Sequence, residues 1–314
     1  MISDSPSGSG QGQTHAFTSI AMLGFGEVGS VFAEVIRHAG WPGPIVACYV
    51  GREPSPQSLR RAHALSVPLI SLYETATEAD LVISVVTPAA AIHVAQALAD
   101  RVSRPAHLLN LASIGPESVS EIHGALHGTA IEFVNGAILG PVPLLRDSVP
   151  LAVGGSEAAA VAAWLRDNGF KSVTECRDLA DPARLKMLWS VVTKGIIPLY
   201  AESLIAAYRM DLLGPLQALV SQHFGFFGSR EMILRLLHSS IASGSRRIDE
   251  MREVCSTLSS AGVPARSSQV AIEWLADLAQ LVERANNAPV QAGKLNAVDD
   301  LVEWLSTVLS AEDR

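Results

Sequence analysis

Ile20-Ala-Met-Leu-Gly24-Phe-Gly26-Glu-Val-Gly29 decides how this chain folds. A short apolar run ends at Gly24, a trio of glycines follows, and a helix-like segment continues from Ser30 to His38. The order is strand, tight turn, helix. At this G-x-G-x-x-G spacing each glycine has its own task. Gly24 makes the sharp turn, Gly26 lets the backbone approach a pyrophosphate, and Gly29 lets the helix pack close to the strand. The first N–H groups of the helix then face an anion. The spacing alone is a weak signal, but a strand before it and a helix after it raise its value. The bland alternative is a glycine-rich turn that binds nothing. The stretch predicts a dinucleotide site made by Gly24, Phe25, Gly26, Glu27, Val28 and Gly29.

The second strand covers residues 44–50 and its end bears on cofactor choice. An acid about 20 residues past the glycines would hold a ribose 2′-hydroxyl and mark NAD. Tyr49 and Val50 are not acids, and Arg52 follows, with Arg60 and Arg61 further on. A guanidinium suits a 2′-phosphate. The expected cofactor is NADP, with NAD still open; the other reading of Arg52 is a solvated loop charge.

Further strands are expected at residues 67–71, 80–86, 107–112, 131–139, 149–153 and 171–175. Helices are expected at 89–100, from Gly115 onward, and at 158–168. Strands alternating with helices point to a doubly wound parallel sheet, a Rossmann-type α/β domain. Ligands of such sheets sit beyond the carboxyl ends of the strands. That rim carries the glycine turn, Val86, Thr87 and Pro88, then Ser113 and Gly140. Val86, Thr87 and Pro88 are expected to line the cofactor channel.

From Asp178 on, no strand pattern is found. Asp181-Pro182 opens a helix, since proline suits the first helical position, and helical periodicity runs to about Tyr208 with Pro198 expected to kink it. Helices at 213–224, 230–242, 246–261, 266–284 and 297–309 complete an all-helical second domain. The expected division is a disordered tail at 1–17, a dinucleotide-binding domain at 18–178 and a helical substrate and dimerisation domain at 179–314.

The composition excludes several classes. The 314 residues are 48% hydrophobic and 17% charged, with a net charge of −8. A nucleic-acid binder would carry a basic field instead. The three cysteines form no C-x-x-C pair, and the nine histidines have no metal-ligand spacing, so no disulfide framework and no metal site is expected. No uncharged apolar run is long enough for a membrane span. Residues 1–14 are rich in Ser and Gly, without the apolar segment of a signal peptide. The expected compartment is the cytoplasm.

Lys186, Ser190, Thr193 and Lys194 lie on the first helix of the second domain, at spacings that put the first three on one face. Their neighbours Leu185, Met187, Leu188, Val191 and Val192 are apolar. A lysine in such surroundings can lose hydration and exchange a proton near neutral pH. The bland alternative is a lysine whose stem covers apolar surface. His238, on a later helix, is a weaker candidate.

The glycine turn, Leu109-Asn-Leu-Ala-Ser113-Ile-Gly-Pro116, Val134-Asn-Gly-Ala-Ile-Leu-Gly140 and the Lys186 helix occur in that order. The order resembles the β-hydroxyacid dehydrogenase family, with its 6-phosphogluconate and 3-hydroxyisobutyrate dehydrogenase members. Ser245-Arg-Arg-Ile-Asp-Glu-Met251 with Ala261-Gly-Val-Pro264 resembles the C-terminal domain of a poorly characterised branch of it. The resemblance implies Lys186 as general acid and base, Glu202-Ser203 in place of the pair found sixteen positions after that lysine, and Ser113, Gly140, Ser190 and Lys194 against the substrate.

The sequence departs from the family at several positions. Trp189 and Ser190 stand where an asparagine is usual. Asn110-Leu-Ala-Ser113 replaces Asp-x-Ser-Thr. Leu139-Gly140-Pro141 replaces Ser-Gly-Gly, so a substrate carboxylate is poorly held unless Lys194 or Arg146 compensates. The expected activity is hydride transfer between NAD(P) and a hydroxyl or carbonyl carbon of a small molecule. The alternatives are imine reduction on the same fold, or a dinucleotide-binding protein without turnover. A homodimer is expected from the apolar content of the helical domain.

Overall fold

The structure is a computed structural model. It describes residues 17–49, 53–71, 78–102, 104–227, 240, 244–284, 300 and 304. Arg52, His238, residues 1–16 of the expected tail and most of the expected helices at 230–242 and 297–309 lie outside the described residues.

Eight strands form one sheet: β1 Ile20–Leu23, β2 Ile45–Tyr49, β3 Leu69–Ser71, β4 Leu81–Ser84, β5 Ala106–Asn110, β6 Ile131–Ile138, β7 Leu151–Gly154 and β8 Val173–Glu175. Their spatial order is β3-β2-β1-β4-β5-β6-β7-β8. Pairing is parallel from β3 through to β6. The sheet is not wholly parallel as the sequence implied, because β6 and β7 pair antiparallel. Only twelve residues separate Ile138 from Leu151, and they hold a one-turn helix, α5 Val142–Leu145, and a 3-10 turn at Arg146–Ser148. Twelve residues is the lower limit for the helical crossover a parallel pair requires, and here they hold no full-length helix.

The other helices of this part are α1 Glu27–His38, α2 Pro56–Ala64, α3 Pro88–Ala99, α4 Pro116–Leu126 and α6 Ala158–Asp167. Every residue of β1, β4 and β7 is buried. Such continuous burial marks strands covered on both faces. Alternate side chains go to opposite sides. Ile20, Met22, Ile83, Leu109 and Val134 pack with Phe32 and Ile36 of α1 and Leu165 of α6. Ala21, Leu23, Val82, Leu108 and Phe133 pack with Leu98 of α3 and Ile122 of α4. Phe17 is not part of a loose tail: it is buried and meets His107 and Trp164 edge to face.

Helix α7 spans Asp181–Arg209 and continues through Pro198; α8 Leu213–Phe227, α9 Gly244–Ser260 and α10 Arg266–Arg284 follow. The chain divides into two compact units, Met1–Val191 and Val192–Arg314, so the division falls inside α7. Within the second unit, Ala206, Leu258 and Val263 form a small core. Arg209 donates to the carbonyl oxygens of Ala261 and Gly262. The buried Glu202 carboxylate receives the backbone N–H groups of Ser267 and Ser268 and the Ser268 hydroxyl. It caps the start of α10. No helix among the described residues is long and apolar enough to cross a membrane.

Candidate functional site

The chain moves from β1 to β2 and β3 on one side, then returns to place β4 on the other side of β1. This reversal opens a crevice at the carboxyl ends of β1 and β4, the usual ligand position in such sheets. Gly24 sits there with φ +88°, and a Cβ on it would come within 3.1 Å of the Val85 carbonyl oxygen. Gly29 is tighter: a Cβ would stand 2.2 Å from the Gly24 carbonyl oxygen. Any side chain there would push α1 off β1. Gly26 is the opposite case, since a Cβ would meet nothing within 4 Å. Two glycines are required by the protein's own packing, and the third faces open space at the start of α1. The first N–H groups of a helix have no partner inside it. That cradle fits a pyrophosphate, so the residues present fit a nicotinamide dinucleotide.

The expected cofactor residues differ in what they can offer. Phe25 is buried in the core and Val28 packs partly against it. Both can serve a ligand only through the backbone. Glu27 is exposed. Val86 is half-buried, and Thr87 and Pro88 are exposed at the start of α3, where the Thr87 hydroxyl makes no capping bond.

Further along the same rim, Ser113 is exposed in the loop after β5 and Gly140 is half-buried after β6. The Leu139 N–H already donates to the Pro150 carbonyl oxygen, and Pro141 has no N–H. Arg146 does not supply the missing charge. Its guanidinium pairs with Glu34 of α1 at 2.7 Å, and its backbone lies at φ +50°. The two donors Ser-Gly-Gly would offer a carboxylate are thus replaced by groups that are absent or engaged.

Lys186 lies in the first unit, half-buried, and its Nζ donates to the carbonyl oxygen of Ile138, the last residue of β6. Strands β1, β4, β5 and β6 run parallel, so Ile138 ends at the rim that carries Gly24. Three strand spacings separate β1 from β6, about 14 Å. Ser190 is half-buried one turn after Lys186, and Lys194 is exposed in the second unit. Among the described residues, no group of three or more His, Cys, Asp or Glu could hold a metal ion. Cys48 is fully buried in the core, and burial pushes its thiol up to about 12.

Asn110, which motif reading met only as a departure from a loop motif, and Asn135, which it gave no role, lie beneath the rim. Asn110 and Asn135 pair in register at the end of β5 and within β6, and both are buried. Their signal in the sequence is one amide at the same level of each of two neighbouring apolar strands.

A family model described as a domain of unknown function (DUF1932) matches residues 207–278. No curated protein matches the chain. Among solved structures, a conserved hypothetical protein from Sinorhizobium meliloti 1021 is 29% identical, over 84% of this chain and 89% of that one, with a TM-score of 0.52. The conserved protein MTH1747, of unknown function and structurally similar to 3-hydroxyacid dehydrogenases, is 26% identical over 83% of this chain and 96% of its own, at 0.50. An imine reductase from Myxococcus stipitatus in complex with NADP+ shares the fold at 13% identity, over 91% and 99% of the two chains, at 0.68. Further imine reductases, a reductive aminase and a 3-hydroxyisobutyrate dehydrogenase share it too. The fold is that of the 3-hydroxyacid dehydrogenase-like proteins and imine reductases, as the resemblance in the sequence implied.

Proposed function

We propose that the chain is a nicotinamide-dependent oxidoreductase acting on a small molecule, with Lys186 as the group that gives or takes the substrate proton. The observation that carries this is the anchoring of the Lys186 amine to Ile138 on the rim where the glycine turn opens. A carbonyl oxygen that accepts from the ammonium sets its direction, and an ammonium so placed can give or take a proton at a substrate oxygen or nitrogen. Backbone N–H groups from Gly24 to Gly29 hold the pyrophosphate, and Val86, Thr87 and Pro88 line the path of the dinucleotide. When bound, the nicotinamide supplies or accepts the hydride. Ser113 and Ser190 orient the substrate through their hydroxyls, with Gly140 and Lys194 as further substrate contacts.

NADP is the favoured cofactor. The arginines at 52, 60 and 61 support it, and so does the NADP+ named for the Myxococcus stipitatus relative. The substrate is a hydroxyl or carbonyl compound without a carboxylate beside the reacting carbon. A second reading is imine reduction. It is favoured by the Leu139-Gly140-Pro141 loop, which offers a carboxylate so little, and by the imine reductases of the same fold. The chain works as a homodimer through its helical domain, residues 179–314.

The test is a turnover panel with NADPH and NADP+. It sets 3-hydroxyisobutyrate and L-serine against cyclohexanone alone, cyclohexanone with allylamine, and a preformed cyclic imine. Reduction of the ketone without amine supports the first reading; activity only with an imine or amine present supports the second. Tight NADPH binding without oxidation by any member overturns both.

A further inference from the structure

Asn110 and Asn135 form a directed chain of hydrogen bonds under the rim. The Ala112 N–H donates to Asn110 Oδ1 at 3.4 Å. Asn110 Nδ2 donates to Asn135 Oδ1 at 3.1 Å. Asn135 Nδ2 donates to the carbonyl oxygen of Leu179 at 3.2 Å. Asn110 is 2% exposed and Asn135 1%. A backbone carbonyl at one end can only accept, and a backbone N–H at the other can only donate. The two amides between them are therefore fixed in one orientation. Position 135 needs a side chain that both accepts and donates: a carboxylate would set its oxygen against the Leu179 carbonyl oxygen, and an apolar residue would leave that carbonyl and the Asn110 amide unpaired.

The chain joins the two pieces of the candidate site. Ala112 precedes Ser113. Leu179 lies in the turn that opens α7, and that turn is seated on β7 as well. A Cβ on Gly154 would stand 2.3 Å from the Asp178 carbonyl oxygen, and Gly154 pairs with Asn135 across β6 and β7. The Asp178 N–H donates to Asp181 Oδ2, and Arg184 pairs with Asp181, which closes the first turn of the helix. The same β6 strand then receives Lys186 at Ile138. Strand β6 touches the segment opening α7 twice: at Asn135 for Leu179, and three residues on, about 10 Å along the strand, at Ile138 for Lys186.

We propose that Asn110 and Asn135 are positioning residues, which hold the opening turn of α7 to β6 so that the Lys186 amine and the Ser113 loop keep one fixed geometry for proton transfer. This rests on the reading of Lys186 given above. A displacement of about 1 Å at such a group costs on the order of a hundredfold in rate, while the glycine turn at β1 is untouched by it.

The experiment uses the full chain with Asn135→Asp, Asn110→Asp and the double change, each checked for folding by circular dichroism and thermal melting. NADPH affinity, turnover of the best substrate of the panel between pH 5 and 8, and the labelling rate of Lys186 with acetic anhydride, read by mass spectrometry, are measured. A protonated aspartic acid at 135 can still donate to Leu179; its carboxylate cannot. The expected result for Asn135→Asp is a kcat lowered about tenfold or more at pH 8, NADPH affinity within about twofold of the parent, and a loss that shrinks as pH falls. Lys186 should be labelled faster. The double variant should lose more than either single change at pH 8, since two adjoining buried carboxyl groups cannot both ionise without repulsion.

A loss that is equal at every pH, or that tracks a loss of NADPH binding, makes the asparagines merely structural and overturns the proposal. So does unchanged Lys186 labelling in folded variants. Should Asn135→Asp not fold, Asn110→Asp carries the same comparison. If the parent turns over nothing, the oxidoreductase reading fails on its own, and the labelling rate alone still decides whether the amides seat Lys186.

Discussion

Lys186 donates its Nζ hydrogen bond to the carbonyl oxygen of Ile138, the final residue of β6. The bond turns a long, mobile side chain into a directed one at the sheet's rim. Lys186→Ala should therefore leave NADPH affinity within about twofold, while kcat falls at least about a hundredfold, the lower range for loss of a positioned acid or base. Lys186→Arg keeps the charge but not the proton exchange and should be nearly as slow. Titrating NADPH by fluorescence beside steady-state kinetics checks both; retained turnover in the alanine variant ends the assignment of Lys186.

The glycine turn separates packing from binding. Gly29→Ala puts a methyl group where the Gly24 carbonyl oxygen stands. A loss of about 3 kcal/mol in unfolding free energy is expected, as for an overfilled core. Gly26→Ala meets no protein atom within 4 Å, and Gly26 has φ −80°, open to any residue. Its stability should change by about 0.5 kcal/mol or less, while NADPH affinity drops about tenfold or more as the methyl group fills the pyrophosphate's space. Urea denaturation and NADPH titration separate the two. Gly26→Ala binding NADPH like the parent would remove the pyrophosphate from this turn.

Much of this was legible in the sequence, because the strands are apolar runs cut by Gly and Pro, and periodicity reads such runs well. All eight strands stand at or near their expected positions. What escaped were features set by contacts across the sequence. The antiparallel pairing of β7 shows only in its register with β6. Arg146 read as a free cation, yet Glu34 lies 112 positions earlier in the chain and holds it. Asn110 read as a departure from a loop motif. Its use appears only once register sets it beside Asn135. Phe17 looked like the end of a polar tail until Trp164 and His107 came to meet it.

Glu202 gives the helical unit an acid-sensitive joint. Burial pushes its carboxyl up, but the hydrogen bonds from Ser267 and Ser268 outweigh burial and hold it below the ordinary glutamate range. A carboxyl lowered on folding stabilises fully above its unfolded value, about 4.3, and that stabilisation fades as pH falls through the lower folded value. Glu202→Gln keeps one acceptor and loses the charge at the start of α10, so a cost of about 1–2 kcal/mol at pH 7 is expected. Urea unfolding at pH 7 and at pH 3.5 should show the gap between parent and variant narrowing at the lower pH. A gap that stays constant would falsify the part given to the charge.

The apolar residues of α7 bear on assembly. Leu185, Leu188, Trp189 and Val192 follow each other at helical spacing, and all are exposed, Leu188 by 66% and Val192 by 62%. At roughly 25 cal/mol per Å2 of apolar surface, covering four such side chains contributes several kcal/mol, enough to matter for a stable dimer. A surface stripe of this kind is costly in water unless something covers it. A second copy of the chain satisfies that need, since an isologous pair brings the same stripe to itself. The parent should elute at twice the chain mass in size exclusion with light scattering at about 10 µM, a range where a dimer with that much buried apolar surface persists. Leu188→Glu with Val192→Glu should shift it to the single-chain mass, because two carboxylates per copy would be buried without partners. A parent that runs as a monomer, or a double variant that stays paired, would put the dimer contact elsewhere or nowhere.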